Sequence, residues 1–329
     1  MNKIERIQAA VNGQKVDVYP FSFWTHLPHC DLDPVLLADN TYQFYKTYDI
    51  DLIKTMNNGM YSCQDYNCEI DYSDIEKGGV AKITSTPIKS YNDFGYIGKL
   101  DIENSVAIKR ELYSLELLLE KLKGENVPVL FTVFSPLTTL NKLSNNKLLE
   151  YISLKETKEI EKALENITYT TIQIVKAANS IGASGIYFAT QLANYSVCEE
   201  EIYRKFGAKY DVEVLKSSTG FADCLHCHGN NIMFDLLKEY PVDIFNWHVY
   251  ESQPTLQYGK DNLDKCIMTG IVREDITKGN IANIDKCIDY GHELFKGKKH
   301  IFSPGCVVRY PLNDSILKHI SQKIRSIEL

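Results

Sequence analysis

The chain has 329 residues, of which 44% are hydrophobic and 24% charged, a composition typical of a folded globular enzyme rather than of a disordered protein. Its 36 Lys and Arg residues against 43 Asp and Glu residues give a net charge of −7, so nucleic acid is not an expected partner. The uncharged stretch from Ala177 to Cys198 is interrupted by polar side chains such as Asn179, Ser184 and Gln191, and no membrane span is predicted.

The nine cysteines do not indicate a disulfide scaffold, because their number is odd and a chain of this size can be stabilised by its own core. The N-terminal residues lack the basic and then apolar pattern of a secretory signal. Together these features predict a cytoplasmic protein with reduced thiols.

Short β-branched or aromatic runs alternate along the chain with longer helical patterns, and this alternation is typical of βαβ units with a parallel sheet. Eight runs are predicted strands: Val16–Trp24, Asp51–Thr55, Val127–Phe134, Gly185–Thr190, Asp223–His228, Asp243–Trp247, Cys266–Thr269 and Lys299–Ser303. Helices are predicted over Pro34–Tyr48, Lys109–Leu122, Asn146–Ile181, Asn230–Glu239, Asn280–Phe295 and Asp314–Ile327.

These elements predict an α/β fold, a single (β/α)8 TIM-type barrel that spans residues 1–329 as one domain. The tyrosine-rich segment 57–105 fits neither helical nor strand periodicity. It is predicted to be an inserted excursion over the barrel mouth, either a β-hairpin or a longer loop.

Active sites of such barrels lie at the carboxyl ends of the strands. Side chains alternate along a strand, so His226 and His228 share one face at the end of the fifth strand while Cys227 points away. Gly229 then allows a tight turn. Cys306, after the eighth strand, can supply a third metal ligand and leave the fourth position open, as a catalytic zinc requires.

The other candidate site residues lie at or just beyond a predicted strand end: Trp24, His26, Lys54, Tyr187, Gln191, Asn246, Trp247 and His248. Lys54 and His248 are the candidates for catalysis, and the remaining six are candidates for substrate binding. Plainer interpretations stay open, because Lys54 could extend its ammonium to solvent and the Asn246–His248 run could be a hydrogen-bonded plug.

The sequence resembles the uroporphyrinogen decarboxylase superfamily, which includes zinc-dependent methyltransferases of corrinoid methyl transfer. The resemblance rests on six blocks: Glu5-Arg6-Ile7, Ser22-Phe23-Trp24, Asp51-Leu52-Ile53-Lys54, His226-Cys227-His228-Gly229-Asn230, Asn246-Trp247-His248 and Pro304-Gly305-Cys306. It covers essentially the whole chain and implies a (β/α)8 barrel.

The methyltransferase branch carries His-x-Cys after the fifth strand and a Gly-Cys loop after the eighth. His226 and Cys306 match this pattern, whereas His228 stands where the branch has a cysteine. The resemblance therefore implies a zinc-dependent methyltransferase that moves a methyl group from a corrinoid to a zinc-bound thiol. A partner protein would supply the corrinoid, because the chain lacks the Asp-x-His-x-x-Gly cobalamin pattern.

The alternative is a decarboxylase that acts on a small carboxylate or a porphyrinogen-like substrate. The porphyrinogen decarboxylases hold substrate carboxylates with an N-terminal arginine-rich motif, and no arginine occurs here between Arg6 and Arg110. Many carboxylates would then lack bidentate partners, so uroporphyrinogen itself is not expected as a substrate. A third hypothesis is a non-catalytic barrel that binds a metabolite and no metal.

Overall fold

Seven parallel strands form one curled sheet in the computed structural model, which describes residues 1–27, 30–75, 80–154 and 157–329. The strands in chain order are β1 (Ile53–Lys54), β2 (Glu69–Asp71), β3 (Lys82–Ser85), β4 (Val129–Phe134), β5 (Gly185–Thr190), β6 (Cys224–Cys227), β7 (Ile244–Trp247), β8 (Cys266–Ile271) and β9 (His300–Pro304). The sheet order is β1-β4-β5-β6-β7-β8-β9, while β2 and β3 form a separate antiparallel pair. This arrangement is compatible with a TIM-like barrel.

The helices are α1 (Lys3–Val11), α2 (Pro34–Tyr48), α3 (Tyr61–Gln64), α4 (Val106–Lys121), α5 (Pro136–Leu143), α6 (Leu148–Ser153), α7 (Lys158–Ile181), α8 (Glu200–Tyr203), α9 (Lys209–Leu215), α10 (Phe234–Leu237), α11 (Leu256–Asn262), α12 (Arg273–Lys278), α13 (Ile281–Phe295) and α14 (Asp314–Arg325). The predicted helix 146–181 is two helices, α6 and α7, and residues 155 and 156 between them lie outside the described residues. No helix among the described residues is long and apolar enough to cross a membrane.

The predicted first strand, Val16–Trp24, is not a strand of the sheet, so the expected count of eight is not confirmed. Its central residues nevertheless contact both edges of the curled sheet. Phe302 in β9 donates its N–H to the carbonyl of Pro20, and Asp51 beside β1 donates its N–H to the carbonyl of Phe21, each at 2.9 Å. Pro20 has no N–H to donate, which limits the ladder to isolated bridges.

The segment 57–105 contains α3, the β2–β3 hairpin and a short 3-10 helix at Tyr91–Tyr96, while residues 76–79 lie outside the described residues. The antiparallel β2–β3 pair forms part of this segment, but an inserted excursion is not confirmed. Asp65 fastens the segment to α4, because its carboxylate accepts the N–H groups of Ala107 and Ile108 at 3.0–3.1 Å. Its position over the barrel mouth stays a prediction.

Candidate metal site

Four metal-ligating side chains converge at the carboxyl ends of β6, β7 and β9. The ligand atoms of His226, His228, His248 and Cys306 all lie within 4.8 Å of one another. The Cys306 Sγ is 3.9 Å from both His226 Nε2 and His228 Nδ1. His226, His248 and Cys306 are buried and His228 is half-buried. The three predicted ligands are therefore brought together, with His248 as a fourth donor that the sequence analysis had assigned to catalysis.

The sheet register explains which side chains of β6 reach this cluster. In the β6–β7 pairing His226 lies beside Asn246, and Cys227 lies beside Trp247. Because neighbouring residues of a strand point to opposite faces, the first pair faces the cluster and the second pair faces the helices. Cys227 is fully buried on that outer side, near Asp211 of α9.

Gly305 allows the last loop to bring Cys306 close to His248. A Cβ atom at Gly305 would lie 2.7 Å from both the Cα of His248 and the carbonyl oxygen of Trp247, which is closer than real Cβ contacts. Any other residue would push this loop away from the end of β7. The Gly-Cys pair of the sequence is thus a requirement for close backbone approach.

Asn246 holds the ring of His226 in one orientation. The Asn246 Nδ2 donates to the carbonyl of Met268 at 2.5 Å, so its Oδ1 accepts hydrogen bonds from His226 Nδ1 at 2.5 Å and from the Tyr187 hydroxyl at 3.1 Å. His226 consequently carries its proton on Nδ1 and presents the lone pair of Nε2 to Cys306. A metal-binding histidine needs such a partner for its other nitrogen.

His248 has one nitrogen engaged and one without a partner. Its Nδ1 lies 3.5 Å from the carboxylate of Glu251, which also accepts two hydrogen bonds from Arg273 at 3.1 and 3.0 Å. Its Nε2 is buried and has no hydrogen-bond partner among the residues that the structure describes. A buried, unpaired lone pair is costly unless a ligand or an ion satisfies it.

The electrostatics of the cluster favour neutral imidazoles. Burial lowers the pKa of His248 to about 4, and burial together with the neighbouring histidines lowers the pKa of His226 well below its usual value. Burial likewise lowers the pKa of His228 and raises the pKa of the Cys306 thiol. Neutral imidazole is the form that binds a metal, and a bound cation would offset the cost of a buried thiolate.

The donor set fits a zinc ion. Zinc takes nitrogen and sulfur ligands at about 2.0–2.3 Å in a tetrahedron, which places the ligand atoms about 3.3–3.8 Å apart. The two observed sulfur–nitrogen separations of 3.9 Å need only small adjustments to reach that geometry. Imidazole and thiolate are also the ligand types that zinc prefers over magnesium or calcium.

Comparison with known proteins places this site in a family. The sequence model of uroporphyrinogen decarboxylase (URO-D) matches residues 2–320. The chain belongs to the URO-D family.

Solved structures share the fold of this URO-D family member at low sequence identity. A methyltransferase from Methanosarcina mazei superposes with a TM-score of 0.80 at 17% identity, over 98% of each chain. A B12-independent methionine synthase from Shewanella sp. W3-18-1 gives a TM-score of 0.60 at 11% identity, over 93% of this chain and 96% of that one. A putative vitamin-B12-independent methionine synthase from Listeria monocytogenes gives a TM-score of 0.56 at 13% identity, over 93% of this chain and 98% of that one. The search of curated proteins found no match.

Two more of the predicted substrate residues lie beside the candidate metal site of this URO-D family member. The Tyr187 ring stacks on His226 with centroids 5.3 Å apart, and Trp24 packs edge-on against Tyr187 at 5.4 Å. Lys54 Nζ lies 5.0 Å from the centre of the Tyr187 ring and donates to the carbonyl of Thr55 at 3.0 Å. Burial lowers the pKa of Lys54 to about 8.

Of the three other predicted residues, one faces away from the cluster. Trp247 lies on the outer face of β7, where its indole donates to the carbonyl of Pro254 at 2.9 Å and packs near Phe234. Gln191 is one residue beyond β5 and donates its backbone N–H to Thr138. A Cβ atom at Gly59 would lie 3.8 Å from the His26 ring, and burial together with the nearby Lys54 and Lys142 ammonium groups lowers the pKa of His26 to about 4.

The sequence analysis missed Glu251, Arg273 and Lys142. Arg273 begins α12 just past the end of β8, so the strand-end rule could have found it if β8 had not been expected to stop at Thr269. Glu251 and Lys142 lie on a loop and on α5, and no sequence pattern distinguishes them from surface charges.

Proposed function

We propose that this protein is a zinc-dependent methyltransferase that moves a methyl group from a corrinoid, carried by a partner protein, to a zinc-bound thiol. The observation that carries the proposal is the convergence of three imidazoles and one thiol within 4.8 Å at the strand ends. The names of the structures with the same fold, a methyltransferase and two B12-independent methionine synthases, support methyl transfer as the reaction class.

His226, His228 and Cys306 would hold the zinc, and His248 would border the open position. A catalytic zinc needs such a position, which four protein ligands would close. Zinc there would keep a bound thiol deprotonated at neutral pH. The hydrogen bond from His226 to Asn246 orients one ligand, while Glu251 and Arg273 hold His248 against the cluster.

Two ammonium groups indicate that the substrate carries an anionic group. Lys54 and Lys142 are both partly buried, and neither forms an ion pair with a carboxylate in the part of the chain that the structure describes. Lys142 Nζ donates to the carbonyl of Gly59 at 3.1 Å and lies 4.5 Å from the centre of the Phe134 ring. An unpaired ammonium in this setting is a natural partner for a carboxylate, sulfonate or phosphate.

The same two lysines favour the second candidate, a decarboxylase of a small acid, with Lys54 as the anchor of the carboxylate. A porphyrinogen-like substrate would find too few cationic partners for its many carboxylates. Arg6 is already engaged with Asp17 and Asp51 at 2.7–2.9 Å, and the sequence contains no other arginine before Arg110.

Metal analysis and a methyl-transfer assay test the proposal together. We expect about one zinc per chain, and zinc-dependent loss of the methylcobalamin absorbance when free methylcobalamin is mixed with small anionic thiols. Zinc-stripped protein and the Cys306→Ser variant serve as inactive controls. A protein that binds zinc but releases CO2 from small acids and transfers no methyl group would establish the decarboxylase instead. A protein that cannot bind zinc would overturn both the site and the reaction.

A further inference from the structure

Two cysteines that the metal site does not use lie against each other. Cys63 is in α3 and Cys68 directly precedes β2, and each thiol lies close enough to shift the pKa of the other. Their backbones also meet, because the N–H of Cys68 points to the carbonyl of Cys63 at 3.4 Å. Both thiols are free, with Cys63 fully buried and Cys68 8% exposed. The pair therefore needs little backbone movement to become a disulfide.

The surroundings of the pair make one thiol more acidic than the other. The neighbouring Cys68 thiol lowers the pKa of Cys63, and the Lys142 ammonium acts in the same direction against the effect of burial. The Cys63 thiol and burial raise the pKa of Cys68. Reactive cysteines have such a lowered pKa beside a lysine, and redox sensors add a second thiol within reach.

We propose that Cys63 and Cys68 form a redox-active dithiol that a peroxide converts into an intramolecular disulfide. The Cys63 thiolate attacks one peroxide oxygen, so that an S–O bond forms, the O–O bond breaks and the other oxygen leaves as water after protonation. Cys68 then attacks the Cys63 sulfur, an S–S bond forms, and the hydroxyl departs as a second water. Two thiols and one hydrogen peroxide thus give one disulfide and two waters.

Lys142 links this pair to the region beside the metal cluster. It contacts Gly59, which lies against His26, and its charge faces Cys63. The pair belongs to the same corner of the fold as the proposed anion-binding lysines, although its chemistry does not depend on zinc or on methyl transfer.

Peptide mapping of the zinc-loaded, full-length protein after brief treatment with hydrogen peroxide tests the proposal. Trypsin releases residues 55–77 as one peptide, which contains Cys63 and Cys68 as its only cysteines. We expect this peptide to lose two hydrogen atoms and to resist iodoacetamide until dithiothreitol is added. The peptide 177–204 contains Cys198 alone. Burial raises the pKa of Cys198 to about 11, so this thiol should escape oxidation by peroxide and remain available for alkylation in the unfolded protein.

Variants identify the attacking thiol. With Cys68→Ser, oxidation should stop at a Cys63 sulfenic acid that dimedone traps, and Cys68→Ala should behave alike if the serine variant folds poorly. With Lys142→Met, alkylation of Cys63 in the reduced protein should slow several-fold, whereas Cys198→Ser should leave oxidation of the 55–77 peptide unchanged. Two free thiols in that peptide while other cysteines oxidise, or no dimedone adduct in either Cys68 variant, would overturn the proposal. Neither outcome bears on methyl transfer, so the two proposals fail separately.

Discussion

Buried charged and polar groups cluster at both ends of the curled sheet. The two clusters differ in how completely their polar atoms are hydrogen-bonded. At the amino end, fully buried Asp51 accepts hydrogen bonds from Arg6 at 2.7 Å and from the N–H of Phe21 at 3.0 Å, and it pairs with Arg325 at 3.0 Å. At the carboxyl end, His248 Nε2 has no hydrogen-bond partner within the described part of the chain. The satisfied cluster stabilises the closure of the sheet, whereas the unsatisfied one is prepared for a ligand.

The sharpest test of this contrast is to remove the centre of the satisfied cluster. Asp51→Ala should lower the free energy of unfolding by about 3–5 kcal/mol, because it leaves two arginines without their buried partner. Urea denaturation measures the loss. The zinc content per folded molecule should not change, and Asp39→Ala, at an exposed ion pair, should cost no more than about 0.5 kcal/mol. Loss of zinc in the Asp51 variant would mean that the two ends are not independent.

Removing the Cys306 thiol from the cluster at the carboxyl end should have the opposite effect, on zinc binding more than on stability. Cys306→Ser should weaken zinc binding by about 100-fold or more, since a hydroxyl is a poor zinc ligand and direct ligands matter at least as much as their hydrogen-bonding partners. Cys227→Ser, its control on the outer face of β6, should keep its zinc and lose about 1–2 kcal/mol of stability. Zinc stoichiometry after the same dialysis compares them. If only the Cys227 variant lost zinc, the assigned face of β6 would be wrong.

A smaller effect should follow when the orientation of a ligand is lost. Asn246→Ala removes the acceptor that holds the Nδ1 proton of His226, and zinc affinity should fall by about 10–100-fold. Competition with a chromogenic chelator gives the affinity. Trp247→Phe, at the next position on the opposite face, should leave it unchanged. Equal zinc affinity in the Asn246 variant and the wild type would show that His226 needs no such partner.

The smallest effect concerns a buried histidine outside the metal cluster. His300 stacks on Phe295 and contacts the carbonyl of Thr269 at 3.1 Å, and burial lowers its pKa to about 3. Below pH 6.5 this histidine binds a proton in the unfolded chain but stays neutral in the folded protein. Its contribution to the free energy of unfolding is therefore fully present above pH 6.5 and is lost progressively as the pH falls further. Between pH 7 and pH 5, the free energy of unfolding of the His300→Phe variant should therefore fall by about 2 kcal/mol less than that of the wild type. The same dependence of the unfolding free energy on pH in both proteins would contradict this prediction.

The convergence of the proposed zinc ligands could be predicted because it depends on local rules. Strand alternation puts His226 and His228 on one side, and parallel strands bring their carboxyl ends to one edge, where the Cys306 loop also lies. The position of Trp247 could not be predicted equally well. Alternation separates Trp247 from Asn246 and His248, but only the pairing of Asn246 with His226 shows which of the two faces carries the cluster.

The sequence by itself determined the parallel α/β fold, the family and three of the side chains that converge in the candidate metal site, since periodicity and strand-end position are properties of short segments. Tertiary structure decided what depends on distant segments meeting. It placed His248 in the ligand cluster, paired Glu251 with Arg273 across two loops, and joined the sheet edges through the short bridges at Pro20 and Phe21 instead of a full strand. Such contacts arise from packing between elements far apart in the chain, and no local pattern encodes their distances.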